Sequence, residues 1–293
     1  MLDPLILSGK EVSASVYDSL DLKIKNLRNN NITPGLAVIL VGENPASQVY
    51  VRSKTKTFNK LNLYTKTYRL PSDSLENEIL GLIDDLNQDK LFHGILVQLP
   101  LPKHIDSDKV INRILPSKDV DGFHPENAGL LSIGKPRFIP CTPKGIMEIL
   151  KHYKIKLAGK HVVVIGRSNI VGRPISILTS LKGEHSNGTT TLCHSGTNEI
   201  ENHTKVADVV IVALGVPGFL KENMIKDGAV VVDVGINRVD DTSEKGYRLV
   251  GDVAWEEIHK KASAITPVPG GVGPMTIAML VQNTVEAAEY QVK

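Results

Sequence analysis

The sequence predicts an α/β protein of two domains, each a parallel sheet flanked by helices, the second Rossmann-like. Three observations carry this expectation. Apolar runs of strand length alternate with amphipathic stretches of helical spacing through the first half, the pattern of a parallel sheet covered by helices. The second half starts a new set of short, β-branched strands. The length of 293 residues, 41% of them hydrophobic, is also enough for two ordinary cores. The expected division gives residues 1–139 to the first domain, joined by a C-terminal helix at 276–293, and residues 140–275 to the second.

Between Ser8 and Asn29, Val12, Val16, Leu20, Ile24 and Leu27 recur at helical spacing, and Asn29-Asn30-Asn31 ends the run. Leu36–Val41 is an apolar run of strand length. Gly42 and Asn44-Pro45 punctuate it, and an amphipathic segment continues through Leu61. Tyr64–Arg69 reads as a strand. Leu75, Ile79, Leu82, Ile83 and Leu86 mark another helix, Gly94–Val97 is a short buried strand, Asp106–Ile114 a weaker helix and Pro116–Leu130 a loop. Thr142 is placed to cap a helix over Pro143–His152, with proline at its first position. After the polar connector Lys154–Lys160, strands are expected at His161–Ile165, Thr189–Leu192, Val209–Val212 and Ala229–Val234. Ser180–Thr191 reads as a polar surface loop. A last helix, Thr276–Tyr290, follows the glycine–proline loop Pro267–Pro274.

Composition narrows the partners. A formal net charge of +2, with no basic run, gives no electrostatic case for nucleic acid or a membrane surface, so small molecules are the expected partners. Cys141 and Cys193 are the only cysteines and form no C-x-x-C pair, which argues against a disulfide framework or a metal site. The start, MLDPLILSGK, has no basic region before its apolar run, and no stretch approaches membrane-spanning length. A cytoplasmic location is expected.

Several stretches carry chemistry. In VGENPASQVYVRSK, Val41–Lys54, Tyr50 and Lys54 stand four residues apart, so on a helix an aromatic ring and an amine share one face. A solvated lysine beside an ordinary tyrosine is the plainer alternative. GILVQLPLP, Gly94–Pro102, sets Gln98 at the carboxyl end of a buried strand, where open α/β sheets bind ligands, although Gln98 has the alternative of satisfying loop backbone. PSKDVDGF, Pro116–Phe123, supplies Asp119 and Asp121. One of them suits a turn cap, the other suits paired N–H groups of a heterocycle.

HVVVIGRSNIVGRP, His161–Pro174, runs from a strand through a turn into a helix start, which suits a phosphate. Gly166 and Gly172 are present, but Ser168 stands where the usual fingerprint has its second glycine, so a plain tight turn stays open. The next strand ends Cys193-His194-Ser195 instead of in an acid for the ribose hydroxyls, and Arg167 can pair with a 2′-phosphate. NADP is therefore expected over NAD. Small residues also end the following strands, at Ala213-Leu214-Gly215 and Asp233-Val234-Gly235-Ile236-Asn237. PVPGGVGPM, Pro267–Met275, is too dense in proline and glycine for anything but a specially shaped loop. Leu99-Pro100 and Val268-Pro269 are candidates for cis bonds.

Together with PCTPKG and DVGINR, these blocks resemble the bifunctional methylenetetrahydrofolate dehydrogenase/methenyltetrahydrofolate cyclohydrolase family, over nearly the whole chain. The longer segment Lys182–Gly188 is the visible departure. The resemblance implies a catalytic Lys54, a Tyr50 that stacks on the folate, a Gln98 that tunes Lys54 and an Asp121 that holds the pterin. Val97, Leu99 and the run Pro269, Gly270, Gly271, Val272 and Gly273 would complete the folate pocket. Gly166, Arg167, Ser168, Ser195 and Ile236 resemble the NADP contacts. It further implies a homodimer, a cleft between the domains, and a place in one-carbon metabolism and purine biosynthesis. The implied reaction is oxidation of 5,10-methylenetetrahydrofolate to the methenyl compound with NADP, followed by hydrolysis to 10-formyltetrahydrofolate. Two other readings remain open: a folate- or NADP-binding protein or single-activity dehydrogenase, and an unrelated alcohol oxidoreductase. Against the last, the second half has no Tyr-x-x-x-Lys.

Overall fold

The computed structural model describes residues 3–242 and 246–292. In chain order it runs β1 (Leu5–Ile6), α1 (Gly9–Asn29), β2 (Gly35–Val41), α2 (Pro45–Lys60), β3 (Tyr64–Leu70), α3 (Glu76–Gln88) and β4 (Gly94–Val97). Then come α4 (Ser107–Arg113), α5 (Pro125–Ser132), α6 (Cys141–His152), β5 (His161–Ile165), α7 (Gly172–Ser180), β6 (Thr189–Cys193), α8 (Ile200–Thr204) and β7 (Val209–Val212). The chain ends with β8 (Val230–Asp233), β9 (Asn237–Asp240), β10 (Tyr247–Val250), α9 (Trp255–Ile258), β11 (Ala264–Ile265) and α10 (Val272–Val292). Contacts divide it into two compact units. One takes Val16–Cys141 with Ile277–Lys293, the other Met1–Ser15 with Thr142–Thr276.

In the first of these, the folate-side unit of the sequence reading, three parallel strands lie in the order β3-β2-β4. All seven residues of β2 are buried, as a central strand covered on both faces must be. Ala37, Ile39 and Val41 pack there with Ile79, Ile83 and Leu86 of α3. The second unit holds a six-stranded sheet, β1-β11-β8-β7-β5-β6, every pair parallel, and a separate antiparallel hairpin of β9 and β10. Its core gathers Val163, Ile165, Val210, Val212 and Val231 from three neighbouring strands.

Besides the elements between β8 and α10, which the sequence reading did not expect, four points depart from it. The N-terminal Met1–Ser15 groups with the dinucleotide-side unit, because β1 pairs with β11 and Gly9 lies so close to the Gly271 backbone that a Cβ would overlap it. The expected loop after Pro116 contains α5, capped by the His124 ring, whose Nδ1 accepts from Glu126 N at 3.0 Å. Thr142 lies inside α6 and does not cap it; its hydroxyl meets that of Thr276 at 2.9 Å. Finally, α10 begins at Val272, so Val272 and Gly273 are helical. Both Leu99-Pro100 and Val268-Pro269 are cis. Among the described residues no helix is long and apolar enough to cross a membrane.

Candidate active site

Helix α2 sets the first constellation. Asn44 caps it, its side chain accepting from Ser47 N at 3.0 Å, and Pro45 occupies the first turn. The buried stripe of the helix is Ser47, Val51, Lys54 and Phe58, so a lysine stands where the pattern asks for an apolar residue. Lys54 is only 6% exposed. Its ammonium donates to Gln98 Oε1 at 3.0 Å, and Gln98 Nε2 in turn donates to the Leu99 carbonyl at 2.8 Å, which fixes the amide with its oxygen toward the lysine. Gln98 follows directly on Val97 at the end of β4, and its own N–H donates to Ile39 O at 2.9 Å.

Asp121 reaches the same place by an extension of the sheet. Ile95 of β4 bridges to Asp119, and Ile95 N donates to Lys118 O at 2.8 Å. Gly94 leaves room for Val120, whose Cγ1 would lie 2.7 Å from a Cβ there. The two aspartates then divide. Asp119, 2% exposed, accepts from His124 N and from Asn127 Nδ2, each at 2.8 Å, and so organises the following turn. Asp121 is half-buried, hydrogen-bonds Cys141 and lies within range of the Lys54 charge. Asn283 of α10 secures this strap, donating to Val120 O at 2.7 Å and Ile139 O at 3.0 Å.

Burial pulls the Lys54 ammonium below the usual lysine range, with the Asp121 charge pulling the other way. Burial pushes the Asp121 carboxyl up, opposed by Lys54. Tyr50, one turn before Lys54, is half-buried and its phenol is raised by the same cause. A second buried lysine in this unit shows what distinguishes Lys54. Lys118, also 6% exposed, donates to the carbonyls of Leu86 at 2.9 Å and Asp89 at 2.8 Å, a fully structural use of an amine. Among the described residues Lys54 has one hydrogen-bond partner, Gln98, which leaves most of its donor capacity uncommitted.

The other unit builds with backbone. After β5 the chain turns at Gly166, φ +116°, and a Cβ at Gly172 would overlap the Gly166 carbonyl. Ser168 Oγ accepts from Val171 N at 3.2 Å and Gly172 N at 3.3 Å, while Ser168 O accepts from Arg173 N at 3.1 Å. The first N–H groups of α7 are thus tied within the turn, and what the turn presents outward is the exposed run 167–170, with Arg167 and Ser168 at its start. The register Ile165↔Cys193 brings His194 and Ser195 to the same end of the sheet, with Arg167 Nη1 3.4 Å from His194 Nε2 and Ser195 exposed. A cavity of about 170 Å³ gathers Ile236 with Pro269, Gly270, Gly271, Val272 and Gly273. Lys10 lines it as well and was passed over in the sequence, where a lysine in the first turn of an ordinary helix carries no signal. Asp252 was also passed over; Gly251-Asp252, a glycine and an acid at a strand end, is the signal available in hindsight.

Residues 7–121 match the family model of the tetrahydrofolate dehydrogenase/cyclohydrolase catalytic domain, and residues 140–292 that of its NAD(P)-binding domain. The bifunctional protein FolD of Acetivibrio thermocellus is 52% identical over 292 residues, covering 100% of this chain and 99% of that protein. The crystal structure of the bifunctional FolD enzyme of Campylobacter jejuni superposes with a TM-score of 0.92 at 49% identity, covering 98% of this chain and 99% of that one. The Trypanosoma brucei enzyme, solved with NADP and an inhibitor, gives 0.94 at 36% identity, with both chains covered in full (100%). With both family domains present in order and relatives of this identity along the whole length, the chain belongs to the tetrahydrofolate dehydrogenase/cyclohydrolase family.

Proposed function

We propose that this chain oxidises 5,10-methylenetetrahydrofolate with NADP and hydrolyses the methenyl product to 10-formyltetrahydrofolate, with Lys54 carrying the protons. One observation supports the lysine's role above the rest: a buried amine with a single hydrogen bond, to Gln98, and with its pKa lowered by burial. In the first step a hydride leaves the bridging methylene for the nicotinamide, and a methenyl cation remains. That step asks for positioning, since the reacting carbons must be held near contact. Asp121 is assigned to the pterin N–H groups, whose approach favours its ionised form. Tyr50 supplies a ring for stacking.

In the second step water adds to the methenyl carbon. The added water gives up both of its protons as its oxygen becomes the formyl carbonyl, one ring nitrogen takes one proton as its bond to that carbon breaks, and one proton is released overall. A lysine is useful here only if part of it is neutral near pH 7, which an ordinary pKa of about 10.4 forbids and burial permits. Gln98 takes one Nζ–H and so directs the lone pair of the neutral amine away from itself. Val97 and Leu99 frame this end of β4, and Pro269, Gly270, Gly271, Val272 and Gly273 are assigned to the folate.

For the dinucleotide we assign Gly166 and Ser168 to the phosphates, Arg167 with Ser195 to the 2′-phosphate, and Ile236 to the nicotinamide. NADP over NAD is supported by the exposed Arg167 and by a β6 that ends without an acid. We further assign a homodimer, supported by β3 as a sheet edge with Tyr64 40% exposed upon it. A cytoplasmic location fits two cysteines outside any disulfide, and the formyl product suits purine biosynthesis. The domain limits 1–139 with 276–293, and 140–275, remain our assignment for the family's two domains, with Met1–Ser15 packing on the second. The test follows NADPH and methenyl absorbance together after mixing methylenetetrahydrofolate with NADP. NADPH without lasting methenyl accumulation is expected; methenyl piling up would leave a dehydrogenase only, and no NADPH would overturn the reading.

A further inference from the structure

Two buried carboxylates in the dinucleotide-side unit have no part in the chemistry just described. Asp233, at the end of β8, is 4% exposed, and Asp252, after β10, is 0% exposed. Burying a carboxylate is costly unless hydrogen bonds replace its water. Each of these accepts three. Asp233 takes Gly235 N at 3.0 Å, Asp252 N at 2.9 Å and Val253 N at 3.1 Å. Asp252 takes Leu214 N at 2.7 Å, Gly215 N at 2.9 Å and Asn237 Nδ2 at 2.9 Å.

The two are interlocked. Asp252 hangs from Asp233 by its own N–H, and each carboxylate lies against a glycine belonging to the other: a Cβ at Gly235 would overlap the Asp252 carboxylate, one at Gly251 the Asp233 carboxylate. The clasp therefore joins three separate stretches: the turn after β7, the passage from β8 into β9, and the residues after β10. These lie at the carboxyl end of a parallel sheet, where such sheets bind dinucleotides. Val234, Gly235 and Ile236, held inside the clasp, line the 170 Å³ cavity. A carboxylate that collects N–H groups from several loops sets their relative positions more sharply than apolar packing, because each bond has a direction.

We infer that Asp252, seated on Asp233, is a positioning residue for the dehydrogenase half-reaction: it fixes the Leu214–Gly215 turn and Asn237 so that the nicotinamide end of NADP is presented for hydride transfer. This rests on the proposed dehydrogenase reading. Loss of the clasp loosens the cofactor's reactive end and leaves the Lys54 chemistry in place.

The test uses the full-length protein and three readouts: NADP reduction with methylenetetrahydrofolate, NADP affinity by calorimetry, and hydrolysis of added methenyltetrahydrofolate. Asp252→Asn keeps the shape but turns an NH₂ toward N–H donors. It is expected to lower kcat/KM for NADP by about tenfold or more, the scale of one misplaced charge-assisted bond, with methenyl hydrolysis within about threefold of wild type. Asn237→Ala, which removes one donor from the partly exposed side, is expected to act in the same direction by about threefold. It carries the test if Asp252→Asn does not fold. Dehydrogenase and hydrolase activities falling together, or neither falling, would overturn the inference. A wild-type protein that reduces no NADP would instead overturn the proposed function, so the two failures are distinguishable.

Discussion

Both units use a buried acid to tie loops, Asp119 in one and Asp233 with Asp252 in the other, and they differ in what else each buries. In the folate-side unit the unusual feature is a side chain: Lys54 sits in the apolar stripe of α2, lowered by burial and held by one glutamine. In the dinucleotide-side unit the features are backbone approaches that only glycine permits, at Gly166, Gly172, Gly235 and Gly251, and its buried acids serve to hold loops. A region that moves protons needs a group poised to change charge. A region that holds a large ligand needs fixed shape. The first should therefore be broken by removing atoms, the second by adding them.

The largest effect tests that asymmetry directly. Lys54→Ala should lower methenyl hydrolysis by about 10³-fold, within the usual range for a positioned proton carrier, while the Kd for NADP stays unchanged. Hydrolysis near the wild-type rate would remove Lys54 from its assigned role, and a matching loss of NADP affinity would show that the regions are not separable.

Asp121 sharpens the side-chain half. Asp121→Ala should weaken folate binding by about 2–3 kcal/mol, the cost of unpaired N–H groups facing a lost carboxylate, read as a Kd. Asp121→Asn adds a signed test. The Asp121 charge holds the Lys54 pKa up against burial, so its removal should let Lys54 lose its proton at lower pH. The ascending limb of the hydrolysis pH profile should then move toward acid. A shift toward alkali, or none, would mean that the limb does not report Lys54.

Gly172→Ala probes the backbone half with a single methyl group. That methyl would overlap the Gly166 carbonyl, and crowding of this kind costs roughly 1–3 kcal/mol, so NADP affinity should fall by about thirtyfold with hydrolysis of added methenyl compound preserved. An unchanged Kd for NADP would show that the turn has room to yield.

What the sequence disclosed follows the same division. Strands β4 and β5 were legible to the residue, since an apolar run bounded by breakers is a local signal. Helix α5 was not, because its N-cap is a histidine, outside the usual capping residues, and it has few apolar residues. Strand β1 is two residues long and pairs with Ala264–Ile265 across most of the chain, a contact no window can contain. In the site, Tyr50 and Lys54 were visible as a helical pair, whereas the Lys54–Gln98 bond spans 44 residues and needed the resemblance to suggest it. For Asp252 the one local sign, a glycine before an acid at a strand end, says nothing of its role, because its partners at Leu214, Gly215 and Asn237 come from distant loops and two of the three are backbone.

Arg167 is the case that bends the comparison, a side chain assigned a binding role in the region otherwise built from backbone. Its guanidinium is exposed beside His194, so whatever it contributes to a 2′-phosphate is screened by water and is worth about 1 kcal/mol. Arg167→Ala should therefore lower kcat/KM with NADP by several-fold, roughly fivefold on that scale, and leave the value with NAD alone, narrowing the ratio between them. Arg167→Lys keeps the charge without the paired donors and should fall between. The readout is the ratio, because loss of the turn itself would reduce both cofactors equally. If both do fall together, Arg167 belongs with Gly166 and Gly172 as part of the shape of the turn, and discrimination must come from Ser168 or Ser195.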